Sequence, residues 1–80
     1  MWEDDNLTVE SKEEKRNFHF WVKHYETGSE FGIDGGRISK LMVKDMDTQR
    51  IVINYDRGWD VKPVTECEKA ALDVLKARYN

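Results

Sequence analysis

The residues Asn17 to Glu26 constrain the fold of this chain more than any others. Phe18, Phe20 and Val22 alternate there with His19, Trp21, Lys23 and Tyr25. A period of two places successive side chains on opposite faces of a strand, so one face is fully apolar and the other mixes aromatic, basic and imidazole groups. A helix would scatter both sets around its circumference, so the pattern demands a half-buried strand. Whatever else the chain does, it must supply cover for Phe18, Phe20 and Val22.

Further strands follow the same logic. Leu7 to Ser11 alternates and reads as a short edge strand, and Ser11 to Asn17 is a polar, charged turn. Arg37 to Lys44 is a strand with Leu41 and Val43 inward and Ile38, Lys40, Met42 and Lys44 outward. Asp45 to Thr48 is a short hairpin loop. Arg50 to Asp56 then puts Ile51, Ile53 and Tyr55 inward, with Arg50, Val52 and Asn54 outward. Thr27 to Gly36 holds four glycines with Ser29 and Asp34, which suits tight turns tucked onto the core by Phe31 and Ile33. Pro63 blocks further strand pairing at its position.

A helix closes the chain. Thr65 and Glu68 have the spacing of a capping box. Cys67, Ala71, Leu72, Val74, Leu75 and Tyr79 form one broad apolar face, opposite Glu66, Lys69, Asp73 and Lys76. The sheet's apolar face and the helix's apolar stripe are each the only sizeable cover available to the other. The expected fold is α+β: a three- to four-stranded antiparallel sheet packed against one C-terminal helix. Residues 1–6 are expected as an acidic, mobile leader, and residues 7–80 as a single small α+β domain.

Charge is uneven. Residues 1–16 carry six acids against three bases, while the remaining acids and bases balance at ten each. A near-neutral body offers little non-specific attraction to a phosphate backbone. Charged residues make up 36% of the chain, yet nine aromatics and eleven Val or Ile argue against disorder. The longest uncharged apolar runs span three or four residues, too few for a membrane helix. No basic and apolar secretory pattern opens the chain. Cys67 is the single cysteine, so no internal disulfide forms, and a reducing cytoplasm is the expected setting.

Two stretches are distinctive: Gly35-Gly36-Arg37-Ile38-Ser39-Lys40-Leu41 and Tyr55-Asp56-Arg57-Gly58-Trp59-Asp60. With the closing helix they resemble a family of small uncharacterised proteins of Gram-positive bacteria, often encoded on conjugative elements and prophages. The resemblance spans roughly residues 17–79 and leaves the acidic leader outside. It carries no activity or site residues. It implies a bacterial cytoplasmic protein with a mobile-element or host-defence role.

Several chemistries compete for the same residues. In Tyr55–Asp60, one reading makes Arg57 an anion-binding fork, Trp59 a stacking platform, and Asp56 and Asp60 orienters. The structural reading favours Gly58 as a sharp turn, Trp59 as a plug at the sheet-to-helix corner, and Arg57 paired with a nearby carboxylate. The glycine-rich loop precedes a strand and lacks the Lys-Ser/Thr pair of a P-loop, so a plain turn is favoured over phosphate binding. Cys67 at the helix start would need a base to act as a nucleophile. His19 and His24 differ by five residues on one strand and point to opposite faces, so spacing brings neither to it. No nucleophile, base and oxyanion donor converge, which speaks against an enzyme, and no cofactor or metal motif is present.

The outward sheet face is the strongest functional signal. Trp21, Tyr25, Met42, Ile38 and Val52 cluster there, bordered by Lys23, Lys40, Lys44 and Arg50. Clustered exposed apolar groups mark contact sites. The expected function is a non-enzymatic binding module engaging a protein partner or a second copy through this face. Trp21, Tyr25 and Met42 are its anchors, and Lys23, Lys40, Arg57 and Trp59 complete the binding set. Two alternatives are a nucleic-acid-binding sheet using Lys23, Lys40, Lys44 and Arg50, and a carboxylate-bearing inhibitor of host defence. A third is that the leader strand or the glycine-rich loop simply folds over the face.

Overall fold

A computed structural model describes all residues from Met1 to Asn80. Five strands run as an antiparallel meander in the order β1-β2-β3-β4-β5, followed by one helix. The strands are β1 (Trp2–Glu10), β2 (Lys15–His24), β3 (Ile38–Asp45), β4 (Arg50–Asp56) and β5 (Trp59–Val61), and the helix is α1 (Glu66–Tyr79). The α+β architecture is as expected, with five strands instead of three to four.

β1 begins at Trp2, not at Leu7. Trp2 pairs with Lys23, Asp4 with Trp21 and Asn6 with His19, so the residues expected as a mobile leader form the sheet's first edge strand. Acidic side chains on an edge discourage pairing with foreign strands, which accounts for a charged sequence in this position.

Phe18, Phe20, Val22, Leu41, Val43, Ile53 and Tyr55 form one buried core on the helix side of the sheet, with Cys67, Ala71 and Leu75 as the helix's contribution. Cys67 lies beside the Glu14 carbonyl and Tyr79 beside Phe20 and His24, so α1 runs along β2 in the same direction. The capping box forms as predicted. Thr65 Oγ1 accepts from the Glu68 N–H at 3.1 Å, and the Glu68 carboxylate accepts from the Thr65 N–H at 3.2 Å.

Two β-bulges reassign faces. Val43 pairs with Ile53 but Lys44 pairs with Ile51, so Val52 is the extra residue. Ile51, expected in the core, is therefore 39% exposed, while Val52 packs against the core. Lys23 pairs with Lys40 but His24 pairs with Ile38, which leaves Ser39 as the extra residue. Ile38, expected outward, is fully buried. A bulge places two residues of one strand opposite one of its neighbour and breaks the alternation beyond it.

Between β2 and β3 the glycine-rich segment folds around a single 3₁₀ turn, Ile33–Gly35. Ile33 anchors it in the core, whereas Phe31, the other expected anchor, is 56% exposed. A side chain at Gly32 would meet the Gly36 carbonyl at 2.0 Å, so glycine there reflects close backbone packing. The Asn80 side chain fastens this segment, accepting from the Ile38 N–H and donating to the Ile33 carbonyl, each at 3.0 Å.

Candidate functional site

The outer face of the sheet lies opposite α1; β1 does not fold over it, and the glycine-rich loop reaches only its end, through Ser29 and Phe31. β1 extends the sheet sideways, and the loop is anchored on the helix side through Ile33. Across the middle of this face runs one row: Asp4 on β1, Trp21 on β2, Met42 on β3 and Asn54 on β4. A second row holds Trp2, Lys23, Lys40 and Asp56. Between them a groove of about 430 Å³ is lined by Trp2, Trp21, Met42, Lys40, Asn54 and Asp56.

The Trp21 ring is set in place by its neighbours. His19 meets it edge-on, with ring centroids 4.5 Å apart. His19 is held in turn by β1: Nδ1 lies 2.7 Å from Asn6 Oδ1 and Nε2 lies 3.0 Å from Asp4 Oδ2. On the opposite face His24 pairs with the Glu3 carboxylate and stacks on Tyr79. The two histidines therefore point to opposite faces, as their spacing requires, and both tie β2 to the acidic edge strand. Cys67 is buried. No group of three or more His, Cys, Asp or Glu side chains converges.

A second hollow of about 330 Å³ adjoins the groove and shares Lys40 with it. It lies where the end of β2, the bulge of β3 and the β4–β5 turn meet, lined by Lys23, Tyr25, Phe31, Ser39, Lys40 and Arg57. The Lys23 ammonium sits 5.6 Å above the Tyr25 ring. Lys40 and Arg57 both approach Asp56, at 3.8 and 3.5 Å. Arg57 thus pairs with a nearby carboxylate, as its structural reading expects.

The structure brings Trp21, Lys23, Tyr25, Lys40, Met42 and Arg57 together in these two adjoining hollows. Trp59 stands apart. It pairs with Tyr55 on the helix side of the sheet, meets that ring edge-on at 5.1 Å and keeps 36% exposure. It covers Tyr55 rather than the groove. Gly58 does not provide the sharp turn; Arg57 does, with φ at 58°. Arg50 pairs with Asp45 on the helix side, so it leaves the outer basic set. Ile38 and Val52 leave the outer face as well, and Ile51 joins it.

Away from these hollows, Arg16 forms a strut between two turns. Its guanidinium lies 3.1 Å from Glu14, 3.6 Å from Asp45 and 4.0 Å from Asp47. The hydrogen bond and charge of Glu14, then the charge of Asp45, raise its pKa further above the ordinary arginine range. Asp45 is itself a turn residue, as expected: its Oδ1 accepts from the N–H groups of Asp47 and Thr48.

A family model for a domain of unknown function, DUF7678, matches residues 1–80. The chain belongs to that family. The match takes in the acidic N-terminal stretch, which the motif resemblance leaves outside, and the structure agrees, since that stretch is the edge strand of the sheet. No curated protein and no solved structure matches the chain. No helix of DUF7678 here is long and apolar enough to cross a membrane.

Sequence reasoning missed Trp2 and Ser39, and it read Phe31 as an anchor. Trp2 has one weak signal, a large aromatic that continues the alternation Trp2, Asp4, Asn6, Thr8. Ser39 has none, because its place in the hollow follows from the bulge.

Proposed function

We propose that this DUF7678 chain is a non-enzymatic binding module. It docks a protein segment that carries a bulky apolar side chain flanked by acidic residues. The observation that carries the reading is the uncovered groove of Trp2, Trp21 and Met42 on the outer sheet face. Trp21 is the principal anchor. Tryptophan is enriched among residues whose truncation costs most at interfaces, and its ring is already held by His19, so little side-chain freedom is lost on docking. Lys40 lines the groove and its cross-strand partner Lys23 stands beside it, and together they supply the charge complementarity for an acidic flank.

Nucleic acid is a weaker occupant. Arg50 points to the other side of the sheet, and Asp4 adds a carboxylate beside Trp21, which thins the basic footprint such binding requires. A cytoplasmic setting on a bacterial mobile element, suggested by the Gly35–Leu41 and Tyr55–Asp60 motifs and the lone cysteine, is part of the same proposal.

The test is selection from a displayed random-peptide library on the immobilised chain. Enriched peptides should share an aromatic or aliphatic residue beside Asp or Glu. Trp21→Ala should weaken them about 30-fold, equivalent to roughly 2 kcal/mol at an anchor. Val64→Ala, remote from the groove and 76% exposed, should leave affinity unchanged. Peptides that bind wild type and Trp21→Ala equally would refute the reading. So would salt-sensitive duplex DNA binding that competes with them.

A further inference from the structure

We infer that the second hollow, between Lys23, Lys40 and Arg57, binds a phosphate monoester carried on an aromatic ring. This goes beyond peptide docking in the groove and does not depend on it. Three separate observations converge on the site.

The first is uncompensated charge. Lys23 and Lys40 are direct cross-strand partners, an arrangement in which like charges repel and weaken the sheet. Lys40 and Arg57 share one carboxylate, Asp56, and Lys23 has no carboxylate within ion-pair distance. Three cations therefore face one anion across a single small hollow.

The second is backbone strain. Arg57 adopts a left-handed conformation at φ 58°, although Gly58, for which that region costs nothing, is the next residue. The strained residue is held by its own N–H, which donates to the Ser39 carbonyl at 3.0 Å. Ser39 is in turn fixed through its hydroxyl, which donates to the Lys23 carbonyl at 3.3 Å. Strain of this kind persists only where the surroundings enforce it, and it collects at ligand sites. Here it sets the Arg57 Cα direction, so that the exposed arginine side chain rises at the rim of the hollow that Lys23 and Lys40 line.

The third is the aromatic rim. Tyr25 and Phe31 are both about half exposed, and both line the hollow. Phe31 is not on a loose loop, since its carbonyl accepts from the Tyr55 hydroxyl at 2.8 Å and Ile33 is locked in the core nearby. A volume of about 330 Å³ sits at the small end of ligand sites. With its phosphate on Arg57 and the two lysines, such a ligand would rest its ring on the apolar rim that Tyr25 and Phe31 contribute to the hollow.

The experiment is an NMR titration of the full isotope-labelled chain with phenyl phosphate, inorganic phosphate and phenol. Phenyl phosphate should saturate shifts at the amides of Tyr25, Ser39 and Arg57 at millimolar concentration or below. Inorganic phosphate should bind roughly tenfold more weakly, and phenol should leave those amides unmoved. Arg57→Gly suits the left-handed backbone and Lys23→Gln removes the like-charge pair, so both variants should fold. Each should lose roughly tenfold in affinity for phenyl phosphate. Lys62→Gln and Val64→Ala, at positions that line neither the hollow nor the docking groove, should keep wild-type affinity. Equal binding by wild type, Arg57→Gly and Lys23→Gln would overturn the inference. So would shifts scattered over surface lysines that never saturate, or inorganic phosphate binding as tightly as phenyl phosphate.

Discussion

Replacing Ile38 and Ile51 in turn by alanine separates the alternation of the sequence from the register of the folded sheet. Alternation alone places Ile51 in the core and Ile38 on the open face. The bulges at Ser39 and Val52 reverse both. Ile38 is fully buried just after the 3₁₀ turn that ends the glycine-rich segment, and its N–H is bound by Asn80 at the end of α1. Truncating a buried isoleucine costs about 2–5 kcal/mol, from lost transfer energy and the cavity left behind. A mid-range loss of about 3 kcal/mol lowers the melting temperature of a domain this size by on the order of 12–24 °C. Ile51 is 39% exposed on the open face, so Ile51→Ala should cost under about 1 kcal/mol, mostly lost strand preference. Urea unfolding followed by tryptophan fluorescence measures both. The midpoint should fall far for Ile38→Ala and little for Ile51→Ala, with the slope m unchanged. Equal losses, or a larger loss for Ile51→Ala, would refute the bulged register.

Other substitutions probe the supports of the sheet. Asn80→Ala removes partners from the Ile38 N–H and the Ile33 carbonyl and should cost about 1–3 kcal/mol, with faster hydrogen exchange at the Ile38 amide. Gly32→Ala drives a methyl group into the Gly36 carbonyl and should destabilise by about 1–3 kcal/mol, whereas Gly58→Ala meets no atom within 4 Å and should stay within about 0.5 kcal/mol of wild type; thermal melts distinguish the two. Thr65→Ala breaks the capping box and should cost about 1 kcal/mol in urea unfolding.

The elements legible in the sequence were those whose physics is local. β2 announces itself by six alternating residues from Phe18 to Lys23, and α1 by Thr65, Glu68 and the Cys67–Ala71–Leu75 spacing, all of which the structure keeps. What escaped was set by neighbours. A bulge is decided by how two strands meet, so nothing around Ser39 or Val52 marks it in advance. β5 is only three residues long, below the length at which alternation can be recognised. The Trp2–Asn6 stretch looks too acidic for a strand, yet on an edge its carboxylates are useful. Asp4 and Glu3 meet His19 and His24 across the β1–β2 pair.

The candidate site divides the same way. Trp21, Lys23, Lys40 and Met42 share a face because two regular strands pair in register between Phe18 and Lys23, and Tyr25 follows just past the end of β2. Arg57 joins them from the β4–β5 turn, where its backbone is left-handed, and Trp59 is carried off by the β4–β5 pairing to cover Tyr55. Both outcomes depend on a turn geometry that the Asp56-Arg57-Gly58-Trp59 sequence points to at Gly58 and the fold places one residue earlier.

The most direct measurement is a chemical-shift map of the labelled chain on titration with an apolar-acidic peptide chosen by display. The open sheet face predicts movement of the Trp21 indole N–H, the Met42 methyl group and the amides around Lys40, while Ala71, Leu75 and the rest of α1 stay still. A map concentrated on α1 and the β4 edge near Thr65, with Trp21 silent, would contradict it.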